Sequence, residues 1–172
     1  MEQNQNTCGG SCCQGHSHQH HHGQGCGHSH CGCHGPKVEL TCQETAFIDR
    51  LAENGPLPVA RFVMQSTKSE HFSATAMDPV FLENEEDDMK TVRAWADLLE
   101  KLEEYTLVEI DYDTLLEESL YTLYEHSAVY AYFLETIEEA KANPEFLFDT
   151  AFLEKGSVRL TEMGAQVAQK ND

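Results

Sequence analysis

The sequence predicts an α+β domain, mostly helical, that is preceded by a disordered tail. Residues 1–36 hold almost no apolar side chain but eight of the 11 glycines, so they bury too little surface to offset the entropy of ordering the backbone. Residues 37–172 instead carry apolar residues at helical spacing in several segments. Two short β-type stretches, one from Val108 and one ending at Leu160, predict a small hairpin or sheet. The predicted boundary between tail and globular domain is Pro36.

The first predicted helix begins at Thr41, because Thr41–Glu44 fits the capping-box pattern. The Asn-Gly-Pro triplet at 54–56 predicts its end. A second helix is predicted from Pro58, where apolar residues fall at i, i+3 and i+4. These apolar positions are Val59, Phe62 and Val63.

The middle of the domain is predicted to contain a short strand at 72–76, an acidic loop at 84–88 and a third helix from about Asp88 to Glu104. Residues 108–113 alternate apolar and acidic side chains, which predicts a half-buried strand. Residues 114–126 are ambiguous, although Thr114 fits the cap of a further helix.

The last part of the chain is predicted to hold an inserted helix at Ser127–Ala142, which Asn143 and Pro144 end. A turn at 155–156, a short strand at 157–160 and a closing helix from Thr161 complete the prediction. The tyrosines and Phe133 of the inserted segment are interpreted as core residues, with an aromatic contact surface as the alternative.

Two motifs give the domain a family resemblance. Leu99–Val108 matches a helix of the form L-x-x-L-E that runs into a strand, and Leu160–Gly164 matches the L-T-x-x-G that starts a closing helix. The chain resembles the winged-helix domains of MarR-like and PadR-like bacterial transcription regulators. The resemblance implies a winged-helix fold in which the third helix reads DNA and Ser127–Ala142 is a helical insertion.

The charge of the chain argues against binding to DNA. The formal net charge is −19, of which residues 37–172 carry −18. Residues 87–104, which contain the helix that would read DNA, hold three cations and six anions, whereas phosphate contacts require Lys and Arg. Its cations are Lys90, Arg93 and Lys101, and its anions are Asp87, Asp88, Asp97, Glu100, Glu103 and Glu104.

The strongest functional signal is a cluster of thiols and imidazoles between Cys8 and His34. Six of the seven cysteines and eight of the ten histidines lie there, and thiolate and neutral imidazole are the preferred ligands of Zn²⁺. Imidazole also suits Ni²⁺ and Cu²⁺, and thiolate favours Cu(I). The candidate ligands are Cys8, Cys12, Cys13, His16, His18, His20, His21, His22, Cys26, His28, His30, Cys31, Cys33 and His34.

The spacing leaves open which donors share one ion. At about four ligands per tetrahedral site, 14 donors hold about three ions. The most compact candidate group is Cys26, Cys31, Cys33 and His34, and a second is Cys8, Cys12, Cys13 and His16. The alternatives are a low-complexity metal sponge without fixed geometry and a cloning tag. In composition the segment resembles the His-rich stretches of nickel-handling proteins, including hydrogenase and urease maturation factors.

Other classes of protein are predicted not to apply. No apolar run reaches the roughly 20 residues that span a bilayer, and Met1–Gln5 does not begin a Sec-type signal peptide. The crowded, odd-numbered cysteines favour reduced metal ligands over disulfides, which predicts a cytoplasmic location. No phosphate-binding glycine loop, Gly-x-Ser-x-Gly elbow or His-Glu-x-x-His pair is present, so an enzyme is not expected.

The predicted function is that of a cytoplasmic metal-binding protein. Its tail would capture Zn²⁺, Ni²⁺ or copper for storage, delivery or sensing, while the globular domain contacts a protein partner or a second copy. The alternative is a metal-responsive winged-helix transcription regulator, whose tail senses the metal and whose domain binds DNA.

Overall fold

Four antiparallel strands form a sheet that curls into a half-barrel. The computed structural model describes residues 39–68 and 72–171. In these ranges the sheet has the order β2-β1-β4-β3, so β1 and β4 are central and β2 and β3 are the edges. The strands are β1 (Leu57–Gln65), β2 (Ser73–Val80), β3 (Val108–Asp111) and β4 (Thr150–Leu160).

Helices pack on both faces of this sheet. They are α1 (Cys42–Asn54), α2 (Met89–Glu104), α3 (Thr122–Glu125), α4 (Ala128–Ala140) and α5 (Glu162–Asn171), with a 3-10 turn at Glu118–Tyr121. None of the helices in these ranges is both long and apolar enough to cross a membrane.

The domain has two apolar cores, one on each face of the sheet. Val59 of β1 packs with side chains of α1, α2 and α5, whereas its neighbour Ala60 packs with side chains of α3 and α4. Successive side chains of a strand point to opposite faces, so one strand contributes to both cores. The aromatic residues Tyr121 and Tyr124 are fully buried in the second core, as predicted, but Tyr132 is 61% exposed.

The predicted fold, a mostly helical winged-helix-like domain, is wrong. About 25% of the described residues are in strands, and the segment predicted as the second helix is β1. The segment predicted as a turn and a short strand is the 11-residue strand β4. The two motif-bearing strands do pair, with Val108 opposite Leu160, but β4 continues past β3 and pairs with β1 along its length. A compact wing is therefore not formed, and the assignment of α2 as a DNA-reading helix loses its basis.

The misread strand has a physical explanation. Leu57–Met64 is almost continuously apolar because β1 is covered on both faces, so it lacks the alternation of a half-buried strand. Apolar residues at i, i+3 and i+4 then arise by chance within such a run.

Most of the other predicted elements are confirmed. Thr41 caps α1 through a complete capping box, and Gly55, at φ 76°, ends the helix. α2, β3, α4 and α5 lie where they were predicted, and the predicted strand at 72–76 is the first part of β2. Thr114 caps no helix, because its hydroxyl donates to Asp111 at 2.6 Å instead.

Candidate functional site

The predicted metal ligands between Cys8 and His34 lie outside the described residues. Within those residues, no group of three or more His, Cys, Asp or Glu side chains is arranged to hold a metal ion. His126 is exposed at the end of α3. Cys42, the first residue of α1, is exposed.

Arg61, Asp78, Tyr112 and Glu154 form a charged cluster on the sheet. Arg61 and Glu154 lie opposite each other on β1 and β4, and the guanidinium donates to both carboxylate oxygens at 2.7 and 2.9 Å. The Asp78 carboxylate on β2 is 3.9 Å from the Arg61 Nη1 atom. Side chains from three adjacent strands therefore converge on one guanidinium.

Tyr112 completes the charged cluster from the segment that follows β3. The Arg61 guanidinium carbon is 4.3 Å from the centre of the Tyr112 ring, a cation–π distance. The Tyr112 hydroxyl donates to Asp78. The ring lies over β4 at Gly156, where a Cβ atom would be 2.5 Å from the ring carbon Cδ1. Glycine is thus required there for Tyr112 to reach Asp78.

The electrostatics of the charged cluster favour its ionised pair. The hydrogen bonds from Arg61 lower the pKa of Glu154, and those same bonds raise the pKa of Arg61. Burial, together with the hydrogen bond to Asp78, raises the pKa of Tyr112 far above that of a free phenol. Tyr112 is therefore a neutral hydrogen-bond donor at physiological pH.

The contacts of the charged cluster crosslink the strands of the sheet. The Nε and Nη2 atoms of Arg61 donate to Glu154, and the Tyr112 hydroxyl donates to Asp78. The cluster thus joins β1, β2, β4 and the segment after β3 through bonds between its own members.

The sequence contained one signal for this cluster that the prediction did not use. Arg61 is the single charged residue in the apolar run of β1. A charge in a strand that is covered on both faces requires a partner, because an unpaired buried charge is costly. That reasoning predicts a carboxylate on a neighbouring strand, although it does not identify Glu154.

A second cluster attaches the segment between β3 and α4 to the sheet. Lys155 of β4 pairs with Glu118 and, at 2.9 Å, with Glu125. The buried Tyr121 hydroxyl donates to the Gly156 carbonyl at 2.8 Å and accepts from the Leu116 N–H at 3.1 Å. These contacts hold the ambiguous stretch 114–126 as an ordered layer on β4.

Comparison with known proteins assigns no family. No protein-family model matches the chain, and no curated protein matches it. Among solved structures, the chain is similar to an uncharacterized protein from the hydrocarbon-degrading marine bacterium Alcanivorax borkumensis. The two share 16% identity over 76% of this chain and 84% of the other, with a TM-score of 0.41. A likeness at this level carries no argument about the function of this chain.

Proposed function

We propose that this chain is a cytoplasmic metal-binding protein whose segment 8–34 captures Zn²⁺, Ni²⁺ or copper. The observation that supports the proposal is the density of donors: 14 thiols and imidazoles within 27 residues, separated mainly by Gly, Ser and Gln. Small and polar neighbours let a short loop wrap an ion without steric conflict, and thiolate and imidazole fit these three metals.

The globular domain has a separate role in this proposal. Its sheet and two cores form a stable body to which the donor segment is tethered, and it would supply the contact with a protein partner or a second copy. Storage, delivery and sensing differ in what that contact does. A DNA-binding role is not proposed, because it depended on a winged helix.

Metal uptake by the reduced full-length chain tests the proposal. The chain is stripped with a chelator, equilibrated separately with Zn²⁺, Ni²⁺ and Cu(I), and freed of unbound ions before elemental analysis. We expect about three ions per chain for at least one metal, at roughly four donors per site. A variant with every cysteine of the segment changed to Ser and every histidine to Gln should bind none.

A control variant changes six other residues of the segment and spares all of its donors. It carries Ser11→Ala, Gln14→Ala, Ser17→Ala, Gln19→Ala, Gln24→Ala and Ser29→Ala, and it should bind as much metal as the unaltered chain. The proposal is overturned if the full-length chain takes up none of the three metals. It is also overturned if the donor-free variant binds as many ions as the control.

A further inference from the structure

The outer edge of β2 is the one long strand edge that the described part of the sheet leaves unpaired. The N–H of Ser66 donates to the carbonyl of Phe72 at 2.9 Å, and Ala74 lies opposite Met64 in the same register. Because residues of an antiparallel strand alternate in the direction of their backbone groups, Ser73 and Thr75 present their N–H and C=O groups outward. Both residues are exposed.

The first part of this edge, Ser73–Thr75, carries neither a charge nor Pro, and the register shifts between β2 and β1 begin only after Thr75. Ser73–Met77 carries no charge, although the chain has a formal net charge of −19. Edge strands are commonly protected by charged side chains or Pro, and β2 has these only near its end, at Asp78 and Pro79. At the start of β2, Phe72 is 39% exposed and stacks on Phe148 with the ring centres 5.0 Å apart. The edge therefore combines free backbone groups with an apolar flank.

The far end of the same edge opens into a groove along α2. One hollow of about 250 Å³ lies between Ala76–Pro79 and α2, and a second of about 650 Å³ lies between α2 and Tyr132 of α4. Met89 and Arg93 line both hollows, and Lys90 lines the larger one. The groove thus has an apolar lining that includes Met77, Met89 and Tyr132. It also holds two cations on α2 and one carboxylate in each hollow, Asp78 in the smaller and Asp97 in the larger.

Most Lys and Arg side chains of the described ranges form ion pairs, whereas the two cations of the groove do not. Six of the Lys and Arg side chains in the described ranges form ion pairs within 4.0 Å, but Lys90 and Arg93 form none there. Both are exposed and lie one helical turn apart on α2. Asp97 is the one carboxylate in the larger hollow, so the lining there is net positive on a strongly acidic protein.

We propose that β2 and this groove bind an extended acidic segment of a partner protein. The segment adds a strand to β2 by hydrogen bonding to Ser73 and Thr75, and its carboxylates contact Arg93 and Lys90. The regular edge before the register shift, Ser73–Thr75, pairs with about three residues of the segment at about 3.3 Å per residue, and the rest of the segment lies along the groove. The proposal is independent of metal binding, since it uses none of the donors in segment 8–34.

Peptide binding to the full-length chain tests this proposal, with a chelator present so that no metal links peptide and tail. The probes are fluorescein-labelled peptides of about eight residues: one alternates Val and Glu, one alternates Val and Lys, and one is the acidic peptide with two central residues changed to Pro. The net charge of the chain favours the basic peptide non-specifically. Because the local cations of the groove should outweigh this effect, we expect fluorescence anisotropy to show at least about tenfold tighter binding of the acidic peptide than of either other probe.

Three variants locate the site. Arg93→Glu reverses the charge of one of the two groove cations. Thr75→Pro removes an outward N–H without removing a hydrogen bond to β1. Each should weaken acidic-peptide binding by at least about tenfold. Lys170→Glu makes the same change of charge on α5 and should leave binding unchanged. Circular dichroism checks folding, and Arg93→Glu, an exposed helix substitution, keeps the test decisive if Thr75→Pro does not fold.

Several results would overturn the proposal. Equal or tighter binding of the basic peptide would show that no local cationic site selects carboxylates. An unaltered affinity in Arg93→Glu would place the peptide elsewhere. Sedimentation of the chain alone as a dimer that Thr75→Pro dissociates would assign the edge to a second copy instead.

Discussion

The Tyr112 hydroxyl donates a hydrogen bond to the Asp78 carboxylate and thereby links the two edges of the curled sheet. Asp78 lies on β2, at one edge, and Tyr112 follows β3, at the other edge. In sequence the two residues are 34 positions apart, and α2, which contacts both β2 and β3, lies between them in the chain. The bond and the helix therefore act together to hold the half-barrel in its curled form.

Removing the hydroxyl of Tyr112 should destabilise the domain. Tyr112→Phe keeps the ring over Arg61 and Gly156 but loses the bond to Asp78, so we expect the free energy of unfolding to fall by about 1 kcal/mol. Urea unfolding followed by tryptophan fluorescence measures the change. Tyr132→Phe, at a ring that is 61% exposed, is the matched control and should have no effect. Equal stability of the two variants would contradict a role for the bond.

Adding a methyl group at Gly156 should have a larger effect. The new Cβ would lie 2.5 Å from Tyr112 Cδ1 and 2.8 Å from the Asp111 carbonyl oxygen, so the ring or the backbone must move. We expect Gly156→Ala to lower the free energy of unfolding by roughly 1–3 kcal/mol. In a Tyr112→Ala background the same substitution should cost less, because the ring contact is gone. Strict additivity of the two changes would show that the ring does not limit this position.

The buried carboxylate of Glu44 should make stability depend on pH. Glu44 completes the capping box of α1 and pairs with Lys101 at 2.6 Å. Burial acts to raise its pKa, but hydrogen bonds from Lys101 and Thr41 outweigh burial and lower the pKa below the ordinary 4.5. Because the folded-state pKa is the lower one, the stabilisation is complete above pH 4.5 and is lost as the pH falls through the folded value.

Glu44→Gln tests this dependence, because Gln retains the capping-box pattern and removes only the charge. We expect the variant to unfold at a lower urea concentration than the unaltered chain at neutral pH. The difference should shrink steadily once the pH falls below 4.5. Asp49→Asn, at a half-buried α1 carboxylate without an ion pair in the described ranges, serves as the control. A difference that stays constant over this range would rule out the ion pair as its cause.

Metal uptake by segment 8–34 should weaken on acidification. Protons compete with metal ions for thiolate and imidazole, and the ordinary pKa of His is about 6.5. The number of ions bound per chain should therefore fall as the pH is lowered through roughly 6–7, with proton release on binding above that range. Elemental analysis after equilibration between about pH 8 and pH 5 measures this. An unchanged stoichiometry would contradict coordination by imidazole.

The contacts of the charged cluster could not be predicted from the sequence. Arg61 stands out in the apolar run of β1, but its partners Asp78 and Glu154 come from strands 17 and 93 positions away, a separation that local patterns do not encode. Tyr112 appeared as the apolar member of an alternating strand. Its position over Gly156 depends on the pairing of β3 with β4, which places the two segments side by side.

The sequence by itself determined the elements whose signals are local. The capping box of α1, the apolar stripes of α2 and α4 and the alternation of β3 each lie within one turn or a few residues. The donor density of segment 8–34 is equally local, which is why the metal-binding proposal depends on the sequence. Only the tertiary structure decided that Leu57–Gln65 is a strand: it is covered on both faces, and its partners in β4 are about 90 residues away. Burial on two sides erases the alternation that marks a strand, so long-range pairing, and not local preference, selected the fold.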